Sequence, residues 1–221
     1  MKVKLISYSM ASKELFDSQS DVRTLEGLIA YCARVSNPEN QQLNQNSDKL
    51  IKYLMKHQHW SPLEMVSVCM EIETTRDIAR QMLRHRSFSF QEFSQRYADP
   101  TQDLDFEIRD ARLQDLKNRQ NSIETDDEKL KEEWVWLQKQ VIDAAKRAYT
   151  WAIRNDIAKE QARAVLPEGN TVSRLYMNGT VRSWVHYIAL RSANGTQKEH
   201  MDVAQECGRV LGEVFSLLKE D

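Results

Sequence analysis

The densest chemistry in the sequence lies in one run, Arg84-His85-Arg86-Ser87-Phe88-Ser89-Phe90-Gln91-Glu92-Phe93-Ser94-Gln95-Arg96-Tyr97. It gathers three arginines, a histidine, a carboxylate and three serines where a helical pattern gives out. A guanidinium presents a planar fork of donors that matches phosphate oxygens in pairs, which an ammonium cannot do. A phosphorylated small molecule is therefore the ligand these residue types suit. Each charge-assisted contact would contribute about 1.5 to 3 kcal/mol, against roughly 0 to 1 kcal/mol for the same arginine in an exposed ion pair. On residue types alone, a solvated basic surface stays open as the other reading.

These side chains need elements to hold them. Upstream, Val66, Val68, Met70 and Ile72 alternate with polar residues, so Met65 to Thr74 reads as a strand. Thr75 then opens a helix whose buried stripe is Ile78, Ala79, Met82 and Leu83. Gln81 and His85, four residues apart, project together from another side of it. Downstream, Thr171 to Met177 reads as a second strand, Asn178-Gly179 as a turn, and Thr180 to Arg191 as a helix with Val181, Trp184, Val185 and Ile188 inward. Arg182 and His186 share a face of that helix. A last helix turns Val203, Cys207, Val210, Leu211, Val214 and Phe215 inward, with His200 at its start expected on the surface.

The rest of the chain frames this centre. A first strand spans roughly Lys2 to Tyr8. Thr24 caps a helix carrying Leu25, Leu28, Ile29 and Cys32, which Asn37-Pro38 ends. A helix from Ser47 to His57 is followed by the loop His59-Trp60-Ser61-Pro62. Residues 100–121 are irregular and read as a loop or excursion. Thr125 with Glu128 forms a capping-box signature before a long amphipathic helix marked by Leu130, Trp134, Leu137, Val141, Ala145, Ala148 and Ala152. Another helix restarts near Asn155 and stops before Pro167. The class is α+β: a helix-rich single domain over residues 1–221, with a small mixed or antiparallel sheet.

Composition bounds the function. At 221 residues the chain buries roughly 70% of its extended surface without metal or disulfide staples. Its 31 basic and 33 acidic side chains give a net charge of −2, so no global excess argues for long nucleic acid. Cys32, Cys69 and Cys207 are odd in number and widely spaced, which suits reduced thiols in a cytoplasm. Neither a signal peptide nor a membrane-spanning run is expected.

The spacing of Arg84-His85-Arg86, seven residues, then Ser94 resembles the signature of the flavin-dependent thymidylate synthases, and the extended form continues through Ser94-Gln95-Arg96-Tyr97. Further blocks carry the same resemblance: Tyr31-Cys-Ala-Arg34-Val-Ser36, His59-Trp-Ser61-Pro62-Leu-Glu64, Gln161-Ala-Arg163-Ala-Val-Leu166-Pro167, and Arg182 through Arg191. They follow the family's order over most of the chain, leaving about 100–151 without support.

The resemblance implies methylation of dUMP with FAD, with NADPH as reductant and methylenetetrahydrofolate as carbon donor. It implies a homotetramer whose sites form where subunits join, and no enzyme cysteine as nucleophile. Carried over by position, Ser61, Arg84, His85, Arg86, Glu92, Arg182 and His186 fall at FAD contacts. Gln81, Arg84, Glu92, Ser94, Gln95, Arg96, Arg163 and Arg191 fall at dUMP contacts, with Arg96 toward the phosphate. Arg191 matches the arginine that polarises the pyrimidine, and His59 lies near folate or flavin. The chain departs from the common pattern at Gln91, where a shorter amide is frequent, and at His186, where Asn also occurs.

Two rival readings have their own residues. A nucleic-acid module would use Arg84, Arg86 and Arg96 on phosphates with Phe88, Phe90 and Phe93 for stacking. A metal hydrolase would use His57 and His59, which lack a matching cluster of further ligands on a helix face.

Overall fold

The alternation of Val68, Met70 and Ile72 builds the centre of the fold. The structure, a computed structural model, describes residues 1–43 and 46–218. Among these the strands are β1 (Lys2–Tyr8), β2 (Ser67–Thr75), β3 (Phe88–Glu92), β4 (Arg112–Gln114), β5 (Ser122–Glu124) and β6 (Val172–Thr180). Four of them form an antiparallel sheet in the order β1-β2-β6-β3, while β4 and β5 pair as a separate ribbon. Register sets Val68 opposite Gly179, Met70 opposite Met177 and Ile72 opposite Leu175. On the other edge of β6, Phe88 lies opposite Gly179 and Phe90 opposite Met177. Directly paired residues point to the same face, so one face is apolar throughout.

Helices cover that face. Leu25–Ala33, Arg76–Met82, Val181–Arg191 and Lys198–Leu211 contribute Ile29, Ile78, Met82, Trp184, Val203, Cys207 and Leu211 to one continuous core. Each large apolar side chain so buried stabilises the fold by about 1.5 to 3 kcal/mol. Trp184 is buried without leaving its indole N–H orphaned, because it donates to the carbonyl of Val68 at 2.9 Å.

Several elements differ from the sequence reading. Asn178-Gly179 is not a turn but the interior of β6, paired on both sides. Glycine stands at 179 for room: a Cβ there would sit 2.4 Å from Cδ1 of Phe88. The strand β3, hidden among the charges of the Arg84 to Tyr97 run, was not expected. The first capped helix ends at Ala33, and Pro38 instead opens a short helix, Pro38–Leu43, where its fixed φ fits a first turn. The long helix Glu128–Arg154 is capped by Asp127, whose Oδ1 accepts from the Leu130 amide at 3.1 Å, rather than by Thr125. The helix expected from Asn155 to Leu166 is broken: Asn155 closes the long helix, Asp156 takes a φ of 58°, and Lys159–Ala162 runs into a 3₁₀ turn at Arg163–Val165.

The apolar stripe of the long helix also faces elsewhere than the core. Its buried residues are Gln138, Ile142, Ala145, Tyr149 and Ala152. Trp134, Leu137 and Val141 are 42%, 43% and 52% exposed, and Trp136 and Trp151 reach 58% and 62%. Gln138 turns inward because its carboxamide both accepts from the amide of Arg109 and donates to the Arg109 carbonyl, each at 2.8 Å. Residues 100–121 are tied down: Arg109 pairs with Asp77, and Arg112 pairs with Glu199.

Candidate functional site

Gln81, His85 and Arg191 meet where Arg76–Met82, Val181–Arg191 and Lys198–Leu211 converge. The helix carrying Gln81 ends at Met82, and a turn in which the His85 amide donates to the Met82 carbonyl at 2.9 Å carries His85 on. Arg191, in the last turn of its own helix, donates Nε–H to Nε2 of His85 at 3.0 Å. The His85 ring stands edge-on to Tyr187, with centroids 4.9 Å apart. Burial first, and then the charges of Arg191 and Arg84, hold the His85 pKa below its ordinary value.

His200 also belongs to this cluster, against the expectation of a surface position. It is 0% exposed, 3.1 Å from the Tyr187 hydroxyl through Nε2 and 3.2 Å from Oε1 of Gln81 through Nδ1. The signal for it was present in the spacing, since His200 precedes Val203, Ala204 and Cys207 by three, four and seven residues on the inward stripe. Gln197, Glu199 and Tyr187 carry no such mark as members of the cluster, because only the fold brings them to Gln81.

A second group surrounds Arg96. Ser94 begins a tight turn: its hydroxyl lies 3.4 Å from the Arg96 amide, and its carbonyl accepts from the Tyr97 amide at 3.1 Å. Gln95 is buried, and its Nε2 has no partner among the described residues. Arg96 is exposed and pairs with Glu160 at 3.4 Å, and Lys159 donates to the Tyr97 carbonyl at 2.9 Å. Arg163 follows three residues after Glu160 and opens the 3₁₀ turn Arg163–Val165. Glu92 accepts from the Ser173 hydroxyl at 2.8 Å and pairs with Arg76 at 3.5 Å.

The third group lies at the other end of Val181–Arg191. Arg182 pairs with Glu64, and His186 stands edge-on to Trp60 with centroids 4.4 Å apart. Ser61 and His59 are exposed on the adjoining loop, where Gln58 takes a φ of 58° and the His59 amide donates to the Leu54 carbonyl at 2.8 Å. Burial, then the charge of Arg182, lowers the His186 pKa. Arg182 and Arg191 are nine residues apart, about 14 Å along the helix axis. One chain therefore does not bring the three groups to a single point.

The residue set fits a coenzyme bearing phosphates and a flat ring. Arg84, Arg86, Arg163 and Arg191 have no carboxylate within ion-pair distance among the described residues, although most other arginines here do. Exposed His186 against Trp60 offers a flat, partly apolar wall. The rings of the rival nucleic-acid reading point otherwise: Phe88 is buried and Phe90 packs on the core, so neither is a stacking platform. Among the described residues, His57 and His59 gather no group of three metal-ligating side chains.

Comparison with known proteins gives the family of the chain. The family model described as "Thymidylate synthase complementing protein" matches residues 20–215. A protein of Paramecium bursaria Chlorella virus 1 named "Probable flavin-dependent thymidylate synthase" is 46% identical over 215 residues, covering 97% of this chain and 95% of that one. A "Flavin-dependent thymidylate synthase" of Synechocystis sp. is 50% identical over 190 residues, covering 86% of each. Among solved structures, a UMP/dUMP methylase from Streptomyces cacaoi bound with 5-Br dUMP superposes with a TM-score of 0.76. That chain is 24% identical, with 98% of this chain and 92% of that one covered, and the likeness speaks for the fold.

Proposed function

The chain belongs to the thymidylate synthase complementing protein family, and from that premise we propose that it is a flavin-dependent thymidylate synthase converting dUMP to dTMP. FAD is the flavin in this reading, NADPH its reductant and methylenetetrahydrofolate the carbon donor. The observation that carries it is the pair Arg84 and Arg191: two guanidiniums without a carboxylate partner that flank an uncharged imidazole. Positive charge left uncompensated by the protein favours an anionic ligand.

Arg84, His85, Arg86, Glu92, Ser61, Arg182 and His186 form the FAD side. Gln81, Ser94, Gln95, Arg96, Arg163 and Arg191 form the dUMP side, shared with Arg84 and Glu92, and His59 adjoins folate or flavin. The ion pairs of Arg96 with Glu160 and Arg182 with Glu64 do not oppose this. The first is solvent-exposed and the second lies half-buried at the surface, and such pairs contribute roughly 0 to 1 kcal/mol, less than the 1.5 to 3 kcal/mol of a charge-assisted phosphate contact.

The pyrimidine carbon that receives the new group is a poor nucleophile, and its activation pushes negative charge onto the ring. In this reading Arg191, held by His85, stabilises that charge electrostatically. Bound reduced flavin supplies the hydride that completes the methyl group. A cysteine nucleophile has no support: burial raises the pKa of Cys32, Cys69 and Cys207, and Cys207 lies fully within the core, the reverse of an activated thiolate.

A homotetramer with sites at subunit junctions is part of this reading; in its favour, the exposed Trp134, Leu137 and Val141 leave on the long helix an apolar face that favours burial against another copy. No described helix is long and apolar enough to cross a membrane. The test is tritium release from ring-labelled dUMP with NADPH, FAD and methylenetetrahydrofolate, repeated with each omitted. Dependence on all three is expected; release that persists without flavin overturns the reading.

A further inference from the structure

Glu199 fixes the direction of a chain of hydrogen bonds that ends at Tyr187. The Glu199 carboxylate is paired with Arg112 and lies 3.6 Å from Arg109; against burial, a hydrogen bond from its own backbone amide, then those from Arg112 and Gln197 and the charge of Arg109, keep its pKa below the ordinary value. An ionised carboxylate only accepts. Gln197 donates Nε2–H to Glu199 at 3.0 Å, and so its carbonyl end faces the other way. That oxygen accepts from Nε2 of Gln81 at 2.8 Å. Gln81 is thereby left with Oε1 directed at Nδ1 of His200. An amide oxygen cannot donate, so His200 carries its proton on Nδ1, and Nε2 accepts from the hydroxyl of Tyr187.

We propose that His200 is a positioning residue for dUMP: as the donor to Oε1 of Gln81 it locks the Gln81 carboxamide in one orientation, setting which donor and acceptor Gln81 presents to the pyrimidine. The inference rests on the assignment of Gln81 to the dUMP side. A carboxamide with both ends engaged cannot flip without losing both bonds, whereas one engaged at a single end can rotate about its last torsion. Protonation of His200 would break the pattern, because both ring nitrogens would donate and the Tyr187 hydroxyl proton would lose its acceptor. The surroundings oppose that proton: burial, then the charges of Arg191, His85 and Arg84, bring the His200 pKa down to about 3. Tyr187, 2% exposed, stays in its neutral donating form, its pKa raised by burial.

The test is calorimetric titration of the FAD-loaded protein with dUMP, alongside KM and kcat. His200→Phe keeps ring volume but removes the donor, and it is expected to weaken dUMP binding and raise KM about tenfold, the equivalent of one neutral hydrogen bond. In this variant kcat at saturating dUMP is expected to change less than about threefold. His200→Asn, which restores an N–H near the position of Nδ1, is expected to recover most of the affinity. In a Gln81→Leu background His200→Phe is expected to add nothing, since the group it positions is gone. Unchanged dUMP affinity in folded His200→Phe, or the same tenfold loss in both backgrounds, overturns the inference. Should His200→Phe fail to fold, Gln197→Leu interrupts the same chain at the half-buried residue that precedes Lys198–Leu211 and carries the same expectations. A wild-type protein that binds no dUMP would instead refute the functional reading, which separates the two failures.

Discussion

Arg191 donates its Nε–H to Nε2 of His85 across 3.0 Å, so the imidazole at the centre of the Arg84-His85-Arg86 triplet works as an acceptor. This binds the end of one helix to the turn after another. It also requires His85 to be neutral with its proton on Nδ1, the state that burial and two neighbouring guanidiniums favour.

Arg191→Ala should retain the fold and bound flavin while dTMP formation falls about 10²- to 10³-fold, the usual cost of removing one donor aimed at developing charge. Tritium release measures the activity, and the flavin absorbance reports cofactor retention. Normal turnover would remove Arg191 from the mechanism.

At His85 the useful contrast is glutamine against lysine. A glutamine carbonyl can still accept from Arg191, so His85→Gln should stay within about tenfold of wild-type turnover. Lysine sets a third cation beside Arg84 and Arg191 and accepts nothing, so His85→Lys should fall further and bind FAD more weakly. Equal activity of the two variants would contradict the acceptor role.

Stability should depend on pH through His200. Its pKa is 6.5 when unfolded and about 3 in the fold, so below 6.5 the unfolded chain binds a proton that the native state does not. The contribution is complete above pH 6.5 and is lost as pH falls toward 3, by up to about 1.4 kcal/mol per pH unit. Denaturant unfolding between pH 7 and 4 should show this slope, and His200→Phe should flatten it; an identical slope in the variant would assign the effect elsewhere.

Gly179→Ala should destabilise the protein by about 1 to 3 kcal/mol, because the new methyl overlaps the Phe88 ring inside a packed sheet face. At this chain length, that corresponds to a Tm lower by roughly 3 to 10 °C. Adding Phe88→Leu should return part of the loss, and a drop in Tm that the second change leaves untouched would point to backbone strain instead.

Trp134→Glu with Val141→Glu should lower the assembled mass seen by light scattering, since the two residues, seven apart, share one face of the long helix and are 42% and 52% exposed. An unchanged mass would take this face out of the subunit interface.

Local order in the chain made much of this legible. Alternation named β2 and the start of β6, helical spacing named the core stripes through Trp184 and Cys207, and the Arg84 to Tyr97 run carried the residue types proposed here for phosphate binding. Those signals survive in one dimension because strand and helix periods repeat within a few residues. What failed locally failed for a tertiary reason. Asn178-Gly179 has turn chemistry, yet it lies inside a strand because Phe88 from another strand needs the space. Trp134 and Val141 keep perfect helical spacing, but the period states only that a face is apolar, not what covers it. Likewise no spacing could state that Gln197, Glu199 and Tyr187 join Gln81, since side chains 116 residues apart in sequence are brought into hydrogen-bond range only by the packing of three helices on one sheet. The sequence alone determined which residues could do the chemistry; the tertiary structure alone decided their partners and protonation, because hydrogen-bond direction and burial are properties of neighbours.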